Sequence, residues 1–391
     1  MNASLTVFFK EIRENLRDRR TLSSALLIGP LLGPVMLVMI MQLSIGREFS
    51  RAEAPLKVPV IGAEHAPNLV EALKQMGLEP EAPVDDPIAT VLDQKADAVL
   101  RIPEGFGEAW EKGQPAQVEL YYDSSQRDSH TPVSRVGTMV RQYSQLHAAQ
   151  RLIARGLSPD LIQPVLLDSR DQSTPQSRAG LLFSMLPYFF ILTIFLGGMY
   201  LAIDLTAGER ERQSLEPLFA NPVARWRILA GKLGAICAFS LVSLLLAIAA
   251  FAVAGRFMPS DKLGMDFNLG MHFATTTLLL MLPLVALLAA LQTLVAAFAK
   301  SFREAQTYLS ILMLLPIIPT IVLSVVPMKP QSWMYAVPLL AQQVGVTEVL
   351  RGAHVGAGEV VLCLAAGLAA AFIAVLATAW VYRSERLAIS A

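Results

Sequence analysis

Six stretches of the chain run without an Asp, Glu, Lys or Arg: Leu22 to Ile45, Ala179 to Ile203, Leu233 to Gly255, Phe267 to Ala299, Ala305 to Met328 and Val360 to Tyr382. The shortest has 23 residues, roughly 34 Å as a helix. A bilayer needs ~20 mostly apolar residues, because no water is present to satisfy the backbone. The pattern therefore predicts six membrane helices. The fourth stretch is longer than it needs to be, which predicts a helix starting near His272, with Phe267 to Met271 among the headgroups. Pro187, Pro283, Pro316 and Pro319 lie inside spans and predict kinks. The first stretch follows a basic front, as a cleaved signal peptide would. Its 24 residues exceed the roughly 7–15 of a signal core, so a retained helix is expected.

The pattern changes between the first and second stretches. Lys57–Ile61, Ala98–Ile102, Val118–Tyr122 and Pro164–Leu167 read as short strands. Pro67–Met76 and Ile88–Lys95 read as helices. Val133, Val136, Val140, Tyr143, Leu146, Ile153 and Leu157 recur at helical spacing, with Thr131 placed to cap that helix and Pro132 in its first turn. The fold class that follows is an α-helical integral membrane protein of six transmembrane helices, with a small α/β extracytoplasmic domain inserted between helices one and two. The expected divisions are 1–45, the cytoplasmic N-terminus and helix one; 46–178, the inserted domain; and 179–391, helices two to six. Within the last lie a cytoplasmic segment 204–232 and an outer loop 329–359. That loop carries Trp333, Tyr335 and an amphipathic run through Leu339, Leu340, Gln343, Val344, Thr347 and Leu350, read as an interfacial helix.

Charge supports this division. Only 16% of the 391 residues are charged, against about 25% in soluble domains. Residues 46–178 hold 33 of the 64 charges, which is ordinary soluble density; the rest of the chain is depleted. Such a composition argues against a soluble enzyme and against a nucleic-acid partner, and names lipid as one partner. With the N-terminus inside, the cytoplasmic segments carry 14 Lys and Arg and the short outer loops four, Arg256, Lys262, Lys329 and Arg351. The positive-inside rule thus places both termini in the cytoplasm and residues 46–178 outside. Neither cysteine, Cys237 or Cys363, lies in that domain, and it has no Asn-x-Ser/Thr site. Both absences point to a bacterial inner membrane, with the domain in the periplasm, over a eukaryotic surface.

Catalytic signatures are sparse. His65, His130 and His147 are too scattered for a metal signature, and neither HExxH nor Gly-x-Ser-x-Gly occurs. Asp85-Asp86 reads as a helix start, and Asp123, Asp128 and Ser129 as turn residues. No Gly-x-x-x-x-Gly-Lys-Ser/Thr is present, and Gly231-Lys232 is followed by Leu233-Gly234. The chain is therefore not expected to hydrolyse ATP, nor to carry a cofactor or metal of its own.

The stretch Gly208 to Lys232, GERERQSLEPLFANPVARWRILAGK, is the most informative. Four charges follow directly on a span, then Leu215, Leu218 and Phe219 at helical spacing. Asn221-Pro222 turns the chain, and Arg225, Arg227 and Lys232 read as headgroup anchors. A plain solvated loop would also have these features. The stretch resembles a GERER-x-[ST]-LE-x-L-x-x-x-PV-x-R-x-x-I-x-x-GK pattern of the permease subunits of type V ABC exporters, in the NatB-like branch with a large extracellular domain after the first helix, which includes sodium-efflux permeases. Gln213 and Phe219 depart from the commoner Gly and Leu. A second similar run lies in the inserted domain: Ala96-Asp97-Ala98, Ile102-Pro103-Glu104-Gly105-Phe106, Lys112-Gly113-Gln114-Pro115 and Tyr122-Asp123-Ser124.

The resemblance implies an ABC-type export permease driven by ATP-Mg on a separate ATPase subunit. It implies two copies of each, the permeases forming a homodimer or a related heterodimer. It also implies that Glu209, Arg210, Glu211, Arg212, Leu215, Glu216, Leu218 and Phe219 couple to the ATPase, the apolar face by docking and the charges by fixing register. For a translocation path the candidates are Asp204, His272, Gln292 and Thr293. Each also has a local reading: Asp204 as a helix end, His272 as an interfacial residue, and the threonines of helix four bonding to their own helix. So few intramembrane polar groups fit a hydrophobic or amphiphilic substrate better than Na+. The rival reading is a membrane-anchored sensor or assembly factor whose outer domain binds a ligand.

Overall fold

A computed structural model describes residues 3–53, 55–126, 129–162, 170, 172–176, 185–214, 217, 222–258, 269–326 and 328–383. The chain divides into two compact units, Ser44–Asp171 and a body made of Met1–Leu43 with Gln172–Ala391.

The body begins with α1 (Ala3–Asn15), then α2 (Arg19–Leu22), a π-helical segment Ser23–Ile28 and the part of α3 (Gly29–Glu53) up to Leu43. It continues with α8 (Leu186–Ile203), a second π segment Asp204–Gly208, α9 (Glu209–Glu211), α10 (Arg225–Arg256), α11 (Met271–Phe298), α12 (Phe302–Leu312), α13 (Ile317–Val325), α14 (Leu340–Leu350) and α15 (Ala357–Arg383). Among the described residues six helical runs are long and apolar enough to cross a membrane: Ala25–Leu43, Leu186–Glu211, Arg225–Arg256, Met271–Phe298, Phe302–Leu323 and Ala357–Arg383. The second span is longer than its charge-free stretch, carrying through Asp204 to Glu211, and the third starts early, at Arg225. The fourth starts at Met271, beside the expected His272. Exposed Trp226 at the start of α10 and Trp380 near the end of α15 suit interface positions.

Helix α11 is the hub, packing against α8, α10, α14 and α15. Close contact between α8 and α10 depends on small residues. A Cβ on Gly197 would lie 2.5 Å from Ser243 Oγ, and one on Gly198 2.6 Å from Ser240 Oγ. Such small-residue seams let membrane helices pack closely, which matters because no hydrophobic force drives helices together in lipid.

Irregular backbone inside the body is served by side chains from neighbouring helices. At the first π segment and its end, Ser243 Oγ donates to Ala25 O at 2.6 Å and Thr193 Oγ1 to Gly29 O at 3.0 Å. The fifth span breaks between α12 and α13, and Pro316 O accepts from Gln343 Nε2 at 2.9 Å. Near Pro283, inside α11, Leu280 O accepts from Gln342 Nε2 at 3.2 Å. Both glutamines belong to α14, which is therefore no surface helix: Gln342 and Gln343 are buried together with Ala341, Val344, Val346 and Val349. The expected amphipathic surface is not found, since α14 is buried and offers donors to carbonyls near two prolines. Pro187 also departs from expectation. It occupies the first turn of α8, where its missing N–H is not needed and no kink results.

The unit Ser44–Asp171 holds β1 (Leu56–Ile61), α4 (Pro67–Gln75), β2 (Leu78–Glu81), α5 (Pro87–Leu92), β3 (Ala98–Arg101), α6 (Phe106–Glu111), β4 (Glu119–Tyr122) and α7 (His130–Ala154). The strands form one sheet in the order β2-β1-β3-β4. β1 runs parallel to β2 through Leu56–Pro59 and parallel to β3 through Val60 and Ile61, while β3 and β4 are antiparallel. Pro59, which cannot donate, falls where β1 changes partner. Leu56, Val58, Val60, Leu69, Leu73, Leu100, Phe106 and Val136 build the core. Asp86 caps α5, its Oδ1 accepting from Ile88 N at 2.9 Å and Ala89 N at 3.1 Å. Thr131 caps nothing: α7 already includes it, and Ser129 stands at the cap without a side-chain bond. Val136, Met139 and Tyr143 of α7 are buried, but Leu146, Ile153 and Leu157 are exposed, so only the first half of the expected apolar stripe meets the sheet. The expected strand Pro164–Leu167 lies outside the described residues.

Gln343→Leu tests the service given to the broken fifth span. It removes the amide's bonds to Pro316 O and Thr320 Oγ1 and leaves Pro316 O only the longer bond from Thr320 Oγ1 at 3.3 Å; each lost bond costs about 0.5–1.5 kcal/mol. The purified full-length variant should melt several degrees below the parent. A melting point equal to the parent's would show that the bond does not hold α14 in place.

Candidate functional site

The charges of the GERER run sit where the second span ends. Glu209 follows the π segment directly, and its side chain turns inward. Lys232, two turns into α10, is fully buried. Its Nζ donates to Glu209 Oε2 and to Leu205 O at 2.8 Å. The Leu205 carbonyl belongs to the π segment, whose wider turn alters the usual ladder. One lysine thus binds both a carboxylate and a backbone oxygen at the end of span two. Lys232 is not the headgroup anchor expected from its place after Arg225 and Arg227.

Helix α1 covers this pair. A Cβ on Gly231 would lie 2.7 Å from Ser4 O and 2.7 Å from Val7 Cβ, and one on Gly234 3.2 Å from Phe8. Glycine is therefore what lets α1 lie against α10. The Gly231-Lys232 dipeptide combines a surface for α1 with a cation for Glu209. Glu11 of α1 is 1% exposed, and Lys10 Nζ lies 3.2 Å from its carboxylate. Burial pushes the Glu11 carboxyl above its usual range, against the pull of Lys10 and Lys232 and with the repulsion of Glu209.

The other three charges also have partners in the chain. Arg212 Nη2 pairs with Asp204 Oδ1 at 2.8 Å, folding back over the π segment. Gly208 leaves room for that pair, since a Cβ there would meet Asp204 Oδ1 at 3.1 Å. Glu211 Oε2 accepts from Phe302 N at 2.8 Å, and Arg210 Nη1 donates to Ala299 O at 3.4 Å. These two bonds fasten the end of span two to the turn between α11 and α12. Glu209 is thus a buried framework group and not a surface charge. Glu211 and Arg212 remain exposed. Leu215, Glu216, Leu218 and Phe219 lie outside the described residues.

The translocation-path candidates are not brought together. Asp204 sits with Arg212 at the end of span two. Gln292 is fully buried, donates to Phe195 O at 2.8 Å and leaves its Oε1 without a partner among the described residues. Thr293 Oγ1 bonds back to Ala289 O at 2.7 Å. His272 is exposed at the other end of α11, about 30 Å from Gln292 along the helix, with its ring 5.8 Å from that of His354. No group of three or more metal-binding side chains occurs among the described residues.

Six apolar helical runs, with irregular backbone buried between them and charges matched internally, define an integral membrane protein. The chain belongs to the ABC-2 transporter family: residues 19–382 match the profile described as ABC-2 family transporter protein. It is also similar to the ABC transporter permease protein NatB of Bacillus subtilis (strain 168), with 27% identity over 320 residues that cover 80% of each chain. It is a transporter permease, a class of membrane subunit that works with a partner ATPase.

Two substitutions test the seat of α1. Gly231→Leu should displace α1 and cost about 1–3 kcal/mol, as overpacking does, seen as a lower melting temperature and faster proteolysis near the N-terminus. Gly358→Ala, in open space, is the control and should be neutral or slightly stabilising. Equal behaviour of the two variants would disprove the close packing of α1. Glu11→Gln should leave stability unchanged or raise it, because the raised Glu11 pKa means that folding favours the protonated form. By the same sign, the stability Glu11 contributes is present at acidic pH and declines as pH rises through its folded value. A melting temperature of the Gln variant well below the parent's at neutral pH would contradict this.

Proposed function

We propose that the chain is the permease subunit of an ATP-driven exporter, with ATP hydrolysed by a separate subunit and two copies of each in the assembly. The match to ABC-2 family transporters over residues 19–382 carries this reading. In it, both termini and the segment 204–232 face the cytoplasm, and residues 46–178 lie on the far side. The excess of Lys and Arg in the cytoplasmic segments supports that orientation. The segment that continues past Arg212 is taken as the ATPase contact, because the charges that lead into it are tied to neighbouring helices. Force applied there reaches span two through the π segment, span three through Lys232, α1 through Gly231, and the start of the fifth span through Glu211.

A hydrophobic or amphiphilic substrate is favoured over a small cation. The buried Lys232–Glu209 pair is built into the end of the bundle, and the polar groups Gln292 and Thr293 of α11 bond to backbone carbonyls of the body. A cation path calls for more oxygen ligands converging inside the membrane.

Orientation is tested with single cysteines at Ser124 and Ser390 in a background lacking Cys237 and Cys363. An impermeant thiol reagent should label Ser124Cys, and not Ser390Cys, on cells with a permeabilised outer envelope. Equal labelling would overturn the topology. Coupling is tested with Leu215→Asp, which places a carboxylate in the expected docking face. Membrane levels should be normal, while co-purification of the ATPase falls at least tenfold. Glu348→Gln, in the segment read as outer, should leave assembly intact. If Leu215→Asp assembles and transports like the parent, the stretch is only a charged loop.

A further inference from the structure

The unit Ser44–Asp171 contains a cavity of about 260 Å³ beside the run that links α6 to β4. Helix α7 forms one wall with two rows of residues spaced four apart, Val140, Ser144 and Ala148 beside Tyr143, His147 and Arg151, so both rows share one face. Trp110 of α6 forms the back. Its ring stacks on Phe106 at 5.9 Å and on Tyr143 at 5.6 Å, and meets His147 edge-on at 5.2 Å. Arg151 lies over the indole, with Cζ 4.3 Å from the ring centroid, and its Nη2 donates to Trp110 O at 2.9 Å. The guanidinium is thus held in place by a ring and a carbonyl. It has five N–H donors, of which this bond uses one.

The opposite rim is made by Gln114 and Pro115. They belong to the run Lys112-Gly113-Gln114-Pro115, which the coupling segment does not explain. Gly113 has φ +70°, a conformation that favours glycine, and it turns the chain so that Gln114 and Pro115 reach the cavity. The motif shapes the mouth of this site.

We propose that the cavity binds a small aromatic carboxylate. The apolar rings take a planar body, and Arg151 offers a fixed cation to its carboxylate, with Ser144 and Gln114 as further polar groups at the opening. A cationic ligand is disfavoured, because Arg151 already covers Trp110 and among the described residues neither Asp nor Glu lines the cavity. The volume falls below the roughly 300–1,000 Å³ of sites for drug-sized ligands, so the body is one or two rings.

The test uses the full-length chain in lipid nanodiscs and 19F NMR of 5-fluoroindole-3-acetate, with 5-fluorotryptophol as neutral and 5-fluorotryptamine as cationic counterpart. The acetate signal should broaden with the parent protein beyond the effect of empty nanodiscs, and more than either counterpart. Ser144→Phe fills the groove from an exposed position and should abolish the broadening. Arg151→Gln should weaken binding at least tenfold, and Arg151→Lys should recover part of it. No broadening by the parent overturns the proposal, as does equal broadening by parent and Ser144→Phe, or preference for the amine. Undiminished binding by Arg151→Gln would likewise reduce the Trp110–Arg151 stack to packing.

Discussion

A lysine fully buried in protein where a membrane helix bundle ends has to be matched from within, because neither water nor a lipid headgroup reaches it. Lys232 meets that requirement with Glu209 and the Leu205 carbonyl, and much of the local architecture follows. Glu209 can reach inward because the π segment Asp204–Gly208 rotates the end of span two. Gly231 gives α1 the close approach that seals the pair, and Arg212, Glu211 and Arg210 fasten the edges of the same junction. A buried pair is weak evidence for stability as such, since an apolar replacement of equal volume often does as well. Its worth here is geometric: it fixes the register of spans two and three where the charged connection begins.

The same demand acts on the backbone. At several described departures from regular helix a side chain of a neighbouring helix donates to the backbone: Ser243 and Thr193 at the first π segment, Lys232 at the second and Gln343 at the break before α13, while Gln342 adds a bond to Leu280 O near Pro283. These side chains join the helices as well as satisfy them. The junction near Glu209 and the α14 plug are thus two examples of one principle. Irregular backbone is tolerated in a membrane body only where protein covers it.

The six spans were legible because the bilayer imposes length and composition on each helix separately. Strand β2 was not, since Leu78–Glu81 reads LEPE and is defined by its pairing with β1 and by no pattern of its own. Helix α6, with six residues, is too short to show a period, and α14 looked amphipathic because nothing in the sequence tells that its glutamines serve proline breaks elsewhere. The position of the candidate site was legible from four consecutive charges. Which of them the fold spends internally was not: Lys232 follows two basic residues in sequence, and its partner precedes it by 23 positions. A Glu and a Gly-Lys flanking a short connection between two spans are the one signal that points to such a pair. The Trp110 cavity was hidden for a similar reason, because α6 and α7 meet only in the folded unit.

The most direct measurement is a double-mutant cycle on the purified full-length chain with Glu209→Gln, Lys232→Met and the pair together. Each single change leaves a buried group without its partner and should cost about 3–5 kcal/mol. The double variant should cost little more than either single one, which gives a coupling energy of about 3 kcal/mol or more. Strictly additive losses, or single variants as stable as the parent, would mean that the pair does not hold the junction, and the account built on it would fail.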